Sequence, residues 1–408
     1  MAELSRAGQC LSFDVVVIGG GPAGLAAALA LARGGSTVLV CESARAPGLK
    51  PCGEGLLPRA FQELCSLGLS ASELLAEGRL LHGVAYVSPS GVRASARFSD
   101  GPGLGLRRTA LARLLRGLAE RTPGVSLRHG DARLRLDAGV CRVLFDGQLF
   151  TPRLVIGADG LRSEARKSAG LQTRRPAPFR YGVRQHFKVK PWTDQVEVYW
   201  GASGEAYVTP TGDDQLNVAF LWQGGRNKLP GGARLIAHLL SGFPELAPRL
   251  EHAQSEDDAA ARGPLHVHVP TPARDGLLLV GDAAGYVDAV TGEGVGLAIS
   301  KATILAALLR PALERPGPQV TLAELGPFLS AARKADRPHV QLTRLLLWLR
   351  RSPWVVERII AALADDAELF RHFLAANQGY VSPWAMPLAS SLGLLRHLVP
   401  RSSPLTRA

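Results

Sequence analysis

The stretch DVVVIGGGPAGLAAALALARGGSTVLVCES, from Asp14 to Ser43, constrains the fold more than any other part of the chain. Its β-branched run Val15 to Ile18 predicts a buried parallel strand. The alanine- and leucine-rich run Gly24 to Arg33 predicts a helix that the next two glycines end, and Thr37 to Cys41 predicts a second strand. Strand, helix and strand in this order form a βαβ unit, so we expect an α/β fold around a parallel sheet.

Three glycines with GxGxxG spacing lie between the first strand and the helix. Gly19 allows the tight turn, Gly21 lets the backbone approach a pyrophosphate, and Gly24 lets the helix pack closely on the strand. The helix N-terminus then offers free N–H groups to the phosphates. Glu42, at the end of the second strand, is placed to accept both hydroxyls of an unphosphorylated ribose. The predicted dinucleotide contacts are Gly19, Gly21, Pro22, Ala23, Gly24, Glu42 and Ser43.

The composition is that of a soluble globular protein, with 46% hydrophobic and 20% charged residues among 408. This length accommodates two ordinary domains, or one large domain with an inserted sheet. The net charge is +12, but the arginines that cause it are scattered along the chain. We therefore expect a solvated basic surface and no nucleic-acid partner.

The chain has five cysteines: Cys10, Cys41, Cys52, Cys65 and Cys141. They show neither a CxxC pair nor the Cys and His spacing of a zinc site, so we expect no bound metal and no disulfide framework. Such sparse cysteines indicate a reducing compartment. The N-terminal apolar run breaks into glycine at once, unlike a secretory signal, and the apolar stretches fall short of the ~20 residues of a spanning helix. The predicted location is cytoplasmic.

The order of elements predicts an α/β domain that is interrupted by a sheet. Leucines recur at helical spacing from Arg108 to Glu120, whereas Tyr181 to Trp222 alternates as antiparallel strands do. Leu277 to Val280 is again a short buried strand, Val295 to Leu309 is a helix, and the chain after Leu342 is helical, basic and amphipathic. We predict a nucleotide-binding domain of residues 1–80, 100–172 and 272–340, a substrate-binding β-sheet domain of residues 81–99 and 173–271, and a C-terminal helical region of residues 341–408.

Two later motifs distinguish a flavin from a nicotinamide dinucleotide. In LVIGADGLRSEARKSAG, a predicted strand runs into a turn with Asp159 at its tip. In LLLVGDAAGYVDAVTGEGVGLAISKA, a strand is followed by Gly281 and Asp282, a glycine-rich loop and a helix. This order places the Asp282 carboxylate where a ribityl hydroxyl can bond to it. It also places the helix N-terminus, Glu293 to Gly296, where it can face an electron-rich ring carbonyl.

With these three motifs, in this order and spacing, the chain resembles the superfamily of FAD-dependent monooxygenases and geranylgeranyl reductases. The resemblance implies the fold of para-hydroxybenzoate hydroxylase: a Rossmann-like FAD-binding domain with an inserted antiparallel β-sheet substrate domain and C-terminal helices. It implies FAD as the cofactor and NAD(P)H as the reductant, and it gives Asp159 contacts to both. The further FAD contacts that it implies are Lys50, Gly53, Arg108, Asp159, Gly281, Asp282, Gly292, Gly294, Val295 and Gly296.

The chain also departs from each branch of that superfamily. Aromatic hydroxylases carry a histidine and a proline where this chain has Gly285 and Ala289, so GDAAG…TGEG is more similar to the geranylgeranyl reductases. Those reductases carry CGG and YxWxFP, whereas this chain has CGEG at Cys52 to Gly55 and EAYVTP at Glu205 to Pro210. The run GEGLLP resembles the GESLLP of flavin-dependent halogenases, but their WxWxIP motif is absent from the sequence.

The first functional hypothesis is a flavoprotein monooxygenase that uses NAD(P)H and O2 to hydroxylate or epoxidise an apolar small molecule in secondary metabolism. The alternatives are a geranylgeranyl-reductase-like enzyme that saturates C=C bonds, a relative of the halogenases, and a flavoprotein without catalytic activity. The reductant could be bound NAD(P)H or a partner flavin reductase. Since the flavin performs the difficult step, no nucleophilic triad is expected.

Candidate site residues outside the FAD contacts are few. Cys52, Arg184 and His186 are weak candidates for catalysis, and Cys52→Ser is expected to leave FAD bound and most activity intact, whereas bulk at Gly53 is expected to impair it. The predicted substrate-binding residues in the alternating sheet are Tyr199, Trp200, Tyr207 and Trp222.

The C-terminal helices are the second place where a partner is predicted. Trp348 and Trp354 lie beside Arg350 and Arg351, a pattern suited to peripheral contact with a membrane. The alternative is an ordinary amphipathic helix that closes the pocket.

Overall fold

The computed structural model describes residues 12–398 apart from residues 47, 49, 174–179, 203, 225–228 and 383, so Cys10 lies outside the described residues. The strands, in chain order, are β1 (Val15–Ile18), β2 (Val38–Glu42), β3 (Gly55–Leu56), β4 (Gly78–Leu81), β5 (Gly83–Val87), β6 (Arg93–Arg97), β7 (Gly103–Leu106), β8 (Val125–His129), β9 (Ala132–Asp137), β10 (Val140–Phe145), β11 (Gln148–Phe150), β12 (Leu154–Gly157), β13 (Arg180–Lys188), β14 (Val196–Gly201), β15 (Gly204–Gly212), β16 (Gln215–Gln223), β17 (Gln254–Ser255), β18 (Ala260–Arg262), β19 (Ala273–Arg274) and β20 (Leu277–Leu279). The helices are α1 (Pro22–Arg33), α2 (Pro58–Ser66), α3 (Ala71–Leu75), α4 (Arg108–Glu120), α5 (Glu164–Ser168), α6 (Ala233–Leu240), α7 (Ala247–Leu250), α8 (Gly294–Glu314), α9 (Leu322–Leu349), α10 (Pro353–Asp365), α11 (Ala367–Asn377) and α12 (Leu388–Leu398).

A six-stranded sheet in the order β19-β20-β12-β1-β2-β8 forms the nucleotide-binding core. Its strands are parallel except the edge strand β19. Strand β1 is fully buried because helices cover one face of the sheet and a small second sheet covers the other, which explains its continuous apolar run. The predicted Rossmann-like arrangement is confirmed.

The small second sheet, in the order β11-β10-β9, was not identified from the sequence. Leu134, Val143 and Phe145 pack from it onto the core sheet, where they meet Val16 and Leu39. Its buried and partly exposed residues alternate along β10, as expected for a sheet with one packed face.

The inserted sheet has eight strands, in the order β17-β13-β16-β15-β14-β5-β6 with β18 beside β13. All its neighbouring strands are antiparallel except β14 and β5. Its outer face, which carries Val183, Val208 and Phe220, packs against α6 and α7. Its pocket face, which carries Tyr207 and Ala219, looks toward the nucleotide-binding core and the C-terminal helices. These strands come from residues 81–99 and 173–271, and the domain boundaries themselves stay a prediction.

The C-terminal helices close the far end of the pocket face. Phe370 of α11 packs on Tyr86 of β5, with ring centroids 4.8 Å apart, and Val356 and Ile360 of α10 belong to the same core. Helix α9 runs without interruption through the predicted boundary between residues 340 and 341.

Helix α8 is long and apolar enough to span a membrane by length and composition, so the expectation that every apolar stretch is too short was wrong. Its residues Ile299, Leu305 and Leu309 are buried in the nucleotide-binding core against α1. The apolar character of α8 is therefore explained by its packing inside the protein.

Candidate cofactor-binding and active site

A cavity of about 320 Å³ lies at the carboxyl ends of β1 and β12, between the core sheet and the pocket face of the inserted sheet. Ligands of open α/β sheets bind at this edge. Of the predicted FAD contacts, those that line the cavity are Gly21, Pro22, Ala23, Lys50, Gly53, Arg108, Asp159, Gly281, Asp282, Gly292, Gly294 and Val295. The others, Gly19, Gly24, Glu42, Ser43 and Gly296, lie outside its lining.

Two glycines outside the lining, Gly19 and Gly24, shape the turn between β1 and α1. A Cβ at Gly24 would lie 2.0 Å from the carbonyl oxygen of Gly19, and a Cβ at Gly19 would lie 2.6 Å from that of Ala158. Gly19 also has a φ of +107°, which favours glycine. At Gly21, by contrast, a Cβ would meet no atom within 4 Å. The turn thus leaves open space at the N-terminus of α1, where a pyrophosphate fits.

The Glu42 carboxylate is tied to the same turn. Its Oε2 accepts a hydrogen bond from the Gly20 N–H at 2.7 Å, and its Oε1 accepts one from the Ala44 N–H at 2.8 Å. These bonds orient the carboxylate at the end of β2, a positioning that the sequence did not predict.

Two further carboxylates face the cavity. The Oδ2 of Asp159 accepts from the Ala165 N–H at 3.0 Å, while its buried Oδ1 has no hydrogen-bond partner among the described residues. Burial raises the pKa of Asp282, and the Arg108 guanidinium opposes that rise. The buried Arg166, which the sequence analysis missed, donates to the carbonyl oxygens of Ala283 and Leu161 and so joins the loops that carry both aspartates.

Cations balance these carboxylates on the cavity wall. Lys50, Arg108, Arg162 and Arg262 all line the cavity. Burial and the neighbouring Arg108 charge lower the pKa of Lys50, and burial lowers that of Arg108. Such a wall favours an anionic ligand. The open glycine turn, the unpaired Asp159 oxygen and these cations fit FAD.

Comparison with known proteins supports this assignment. The model of the FAD binding domain family matches residues 12–323. The chain belongs to this FAD-binding family. A menaquinone reductase of Mycobacterium tuberculosis is 32% identical over 354 residues, which is 79% of this chain and 83% of the relative. A digeranylgeranylglycerophospholipid reductase of Methanopyrus kandleri is 28% identical over 303 residues, 71% of this chain and 78% of the relative.

Among solved structures, a flavoprotein/dehydrogenase of Cytophaga hutchinsonii superposes with a TM-score of 0.77 and covers 90% of this chain and 93% of its own, at 17% identity. That likeness shows the shared fold. The protein is therefore an FAD-dependent oxidoreductase of the para-hydroxybenzoate hydroxylase superfamily.

In this flavoprotein the CGEG loop (Cys52–Gly55) forms part of the cavity wall through Cys52 and Gly53. The carbonyl oxygen of Cys52 accepts from Asn217 Nδ2 at 2.8 Å, and its Sγ accepts from the Glu54 N–H at 3.4 Å. Burial raises the pKa of the Cys52 thiol, so the sulfur is protonated near neutral pH. A Cβ at Gly53 would project into open space.

His186 and Arg184 do not line the cavity of the flavoprotein. Both are buried on β13, where His186 Nδ1 lies 2.7 Å from Asp257 Oδ2 and Arg184 also bonds to Asp257. The other ring nitrogen of His186 lies 2.6 Å from Glu54 Oε2. His186 thus contacts the CGEG loop, and Arg184 contacts Asp257, rather than the space for ligands.

Of the four aromatic residues predicted to bind substrate, the structure places Tyr207 alone in the cavity lining. Its hydroxyl donates to the Val290 carbonyl oxygen at 2.6 Å, and burial raises its pKa well above the usual value. Tyr199 and Trp222 lie on the outer face, where they contact Glu197 and Tyr181, and Trp200 lies edge-on to Tyr86 near the C-terminal helices. Consecutive strand residues face opposite ways, so a run of aromatic residues could not all face one pocket.

A smaller recess of about 60 Å³ adjoins the main cavity and shares Gly53, Tyr207 and Gly292 with it. Most of its other lining residues are apolar: Leu57, Val84, Tyr86, Val196, Val198, Val290 and Leu374. The recess runs toward α11 and suits a slender apolar group.

Proposed function

We propose that this flavoprotein is a reductase that adds hydrogen across a carbon–carbon double bond of an apolar, isoprenoid-like molecule. The observation that carries the proposal is the apolar recess beside the CGEG loop, at the inner end of the FAD cavity. The sequence alone favoured a monooxygenase. We now place the reductase first because two relatives that align over most of the chain are named as reductases.

Bound FAD supplies the hydride chemistry, and the chain supplies binding, orientation and a dry surrounding. The glycine turn at Gly21 and the carboxylates of Glu42 and Asp282 hold the dinucleotide. The walls of the recess exclude water and orient an apolar chain. Saturation of a double bond also needs a proton for the carbon that does not receive hydride. The Cys52 Sγ–H and the Tyr207 hydroxyl both lie at the cavity and are protonated near neutral pH.

An anaerobic single-turnover experiment tests this proposal. The FAD-loaded protein is reduced, mixed without oxygen with a geranylgeranyl lipid, which has no quinone group that could take the electrons, and the products are analysed by mass spectrometry. We expect flavin reoxidation and a product heavier by two hydrogens. A product that contains one added oxygen and forms only in air, with peroxide release, would instead support the monooxygenase. Flavin that no substrate reoxidises, with or without air, would support a non-catalytic flavoprotein.

We also propose NAD(P)H as the direct source of electrons. The phosphates of a nicotinamide dinucleotide would meet Lys50, Arg162 and Arg262 at the cavity wall. Stopped-flow reduction of the bound flavin by NADPH and by NADH tests this. If neither NADPH nor NADH reduces the bound flavin within about a minute, a partner flavin reductase would be favoured as the source of electrons.

We further propose that the C-terminal helices contact the surface of a bilayer that contains anionic lipids. Trp348, Trp384 and Leu388 are exposed by 63%, 62% and 84%, and Trp384 follows closely after Asn377, which lines the recess. The Arg358 guanidinium lies over the ring of Trp354, which is in the first turn of α10. Arg350, by contrast, turns inward to Glu205 and is not available to lipid.

Flotation with phosphatidylglycerol-containing vesicles tests the bilayer contact. We expect the protein to float with the vesicles and Trp384→Ala with Leu388→Ser to remain at the bottom, while Leu149→Ser, at an exposed leucine on β11, floats as wild type. Equal flotation of wild type, the double variant and Leu149→Ser would exclude this surface.

A further inference from the structure

Glu54 is unusual among the residues of the CGEG loop. It is only 3% exposed, and its φ of +59° lies in the left-handed region that favours glycine. A non-glycine residue there is held in strain by its surroundings. The contacts of the Glu54 side chain must therefore compensate for the strain in its backbone.

The Glu54 carboxylate joins two separate parts of the molecule. Its Oε1 accepts from the Arg108 N–H at 2.8 Å, at the first residue of α4, where a negative charge is favoured by the helix dipole. Its Oε2 lies 2.6 Å from His186 Nε2 on β13. The Glu54 carbonyl oxygen also accepts from the Leu106 N–H at 2.9 Å.

The contact to His186 is itself supported from behind. His186 Nδ1 lies 2.7 Å from Asp257 Oδ2, and the His186 N–H donates to Asp257 Oδ1 at 3.0 Å. Burial raises the pKa of Asp257, but the hydrogen bonds outweigh burial and hold this pKa below its usual value. Arg184 bonds to Asp257 as well, so the Asp257 carboxylate has a cationic partner. We call Glu54, His186 and Asp257 the Glu54 clamp.

We propose that Glu54 is a positioning residue, which holds the Cys52–Gly53 backbone and the Arg108 backbone at the start of α4 in place against the flavin. Cys52, Gly53 and Arg108 line the FAD cavity, whereas Glu54 and His186 do not. The clamp therefore acts through the loop and through the start of α4. The proposal rests on FAD binding, which the family establishes, and not on the reductase reaction.

Flavin properties distinguish this role from simple stabilisation. FAD-loaded Glu54→Gln and His186→Gln are compared with wild type for the Kd of FAD, the flavin midpoint potential and Tm. We expect each variant to weaken FAD binding by about tenfold and to shift the potential, because a hydrogen bond to a charged group is lost in each. The double variant should bind FAD no more weakly than either single variant, because both single variants break the same contact between Glu54 and His186.

Glu197→Gln is the matched control. Glu197 is equally buried on the outer face of the same sheet, where it binds Arg93, Trp192 and Tyr199. We expect this variant to lower Tm while the Kd of FAD and the potential stay at wild-type values. Equal shifts of potential in Glu197→Gln and Glu54→Gln would overturn the proposal.

Glu54→Gly keeps the proposal testable if the glutamine variant does not fold. Glycine relieves the backbone at φ +59°, so the loss of the clamp is partly offset and Tm should stay near that of wild type. The Kd of FAD and the potential should still shift as in Glu54→Gln. Wild-type values of both in Glu54→Gly would show that the clamp does not position the flavin site.

Discussion

The two walls of the FAD cavity are built in different ways. The core wall, at the ends of β1, β12 and β20, presents backbone N–H groups and glycines at the N-termini of α1 and α8. The sheet wall, formed by the CGEG loop and the pocket face, presents side chains such as Cys52 and Tyr207, and the buried contact of Glu54 with His186 lies behind it. The core wall is therefore suited to hold a cofactor, and the sheet wall to select and protonate a substrate.

The largest effects are expected from glycine substitutions on the core wall. Gly24→Ala would place a Cβ 2.0 Å from the Gly19 carbonyl oxygen, and we expect overpacking of about 3 kcal/mol and loss of FAD. Gly21→Ala meets only open space in the chain itself, so we expect wild-type Tm in the apoprotein but loss of FAD. Apoprotein Tm and flavin absorbance measure both. Full FAD binding by Gly21→Ala would show that the pyrophosphate lies elsewhere.

The same contrast explains what the sequence could predict. The βαβ unit and its glycines follow from residues within one contiguous stretch, because each glycine answers a local steric demand. The contact of Glu54 with His186 joins residues 132 positions apart. No sequence motif has such a spacing, so the Glu54 clamp could not be predicted from the sequence. Tyr199, Trp200 and Trp222 were chosen by residue type, although strand alternation turns two of them to the outer face.

On the sheet wall, Cys52→Ala tests the proton donor of the reductase proposal. We expect FAD to stay bound and its reduction by NADPH to be unchanged, while saturation of the substrate slows about a hundredfold, the usual range for loss of a general acid. Cys52→Ser retains an O–H and should keep most activity. Unchanged saturation by Cys52→Ala would point instead to the Tyr207 hydroxyl, which Tyr207→Phe then tests.

The recess can be closed without touching the core wall. Val84→Phe adds bulk on the pocket face of β5, whereas Val87→Phe adds the same bulk on the outer face of the same strand. Each should cost about 1–3 kcal/mol of stability. Only Val84→Phe should raise the KM for long isoprenoid substrates, by about tenfold, while FAD binding stays intact in both. Equal KM values would show that the recess does not hold the substrate chain.

A buried carboxyl beside the core wall sharpens the comparison, because it lies at the N-terminus of α8 between two glycines that line the cavity, Gly292 and Gly294. Glu293 is the N-cap of α8, and burial raises its pKa to about 8. The folded protein thus keeps this proton over a pH range in which the unfolded chain has already lost it. Stability should therefore fall as pH rises from 4.5 to about 8, by at most about 1.4 kcal/mol per pH unit from this group.

Glu293→Gln cannot lose a proton, so its Tm should vary less with pH across that range than the Tm of wild type. Thermal melts at half-unit steps from pH 5 to pH 9 measure the difference. Glu164→Gln, at an exposed carboxylate that pairs with Lys167 on α5, is the control and should follow wild type. Parallel pH profiles for wild type and Glu293→Gln would mean that Glu293 is ionised in the folded protein. The N-terminus of α8 would then present a fixed negative charge beside Gly292 and Gly294, in addition to the carboxylates of Asp159 and Asp282 on the core wall.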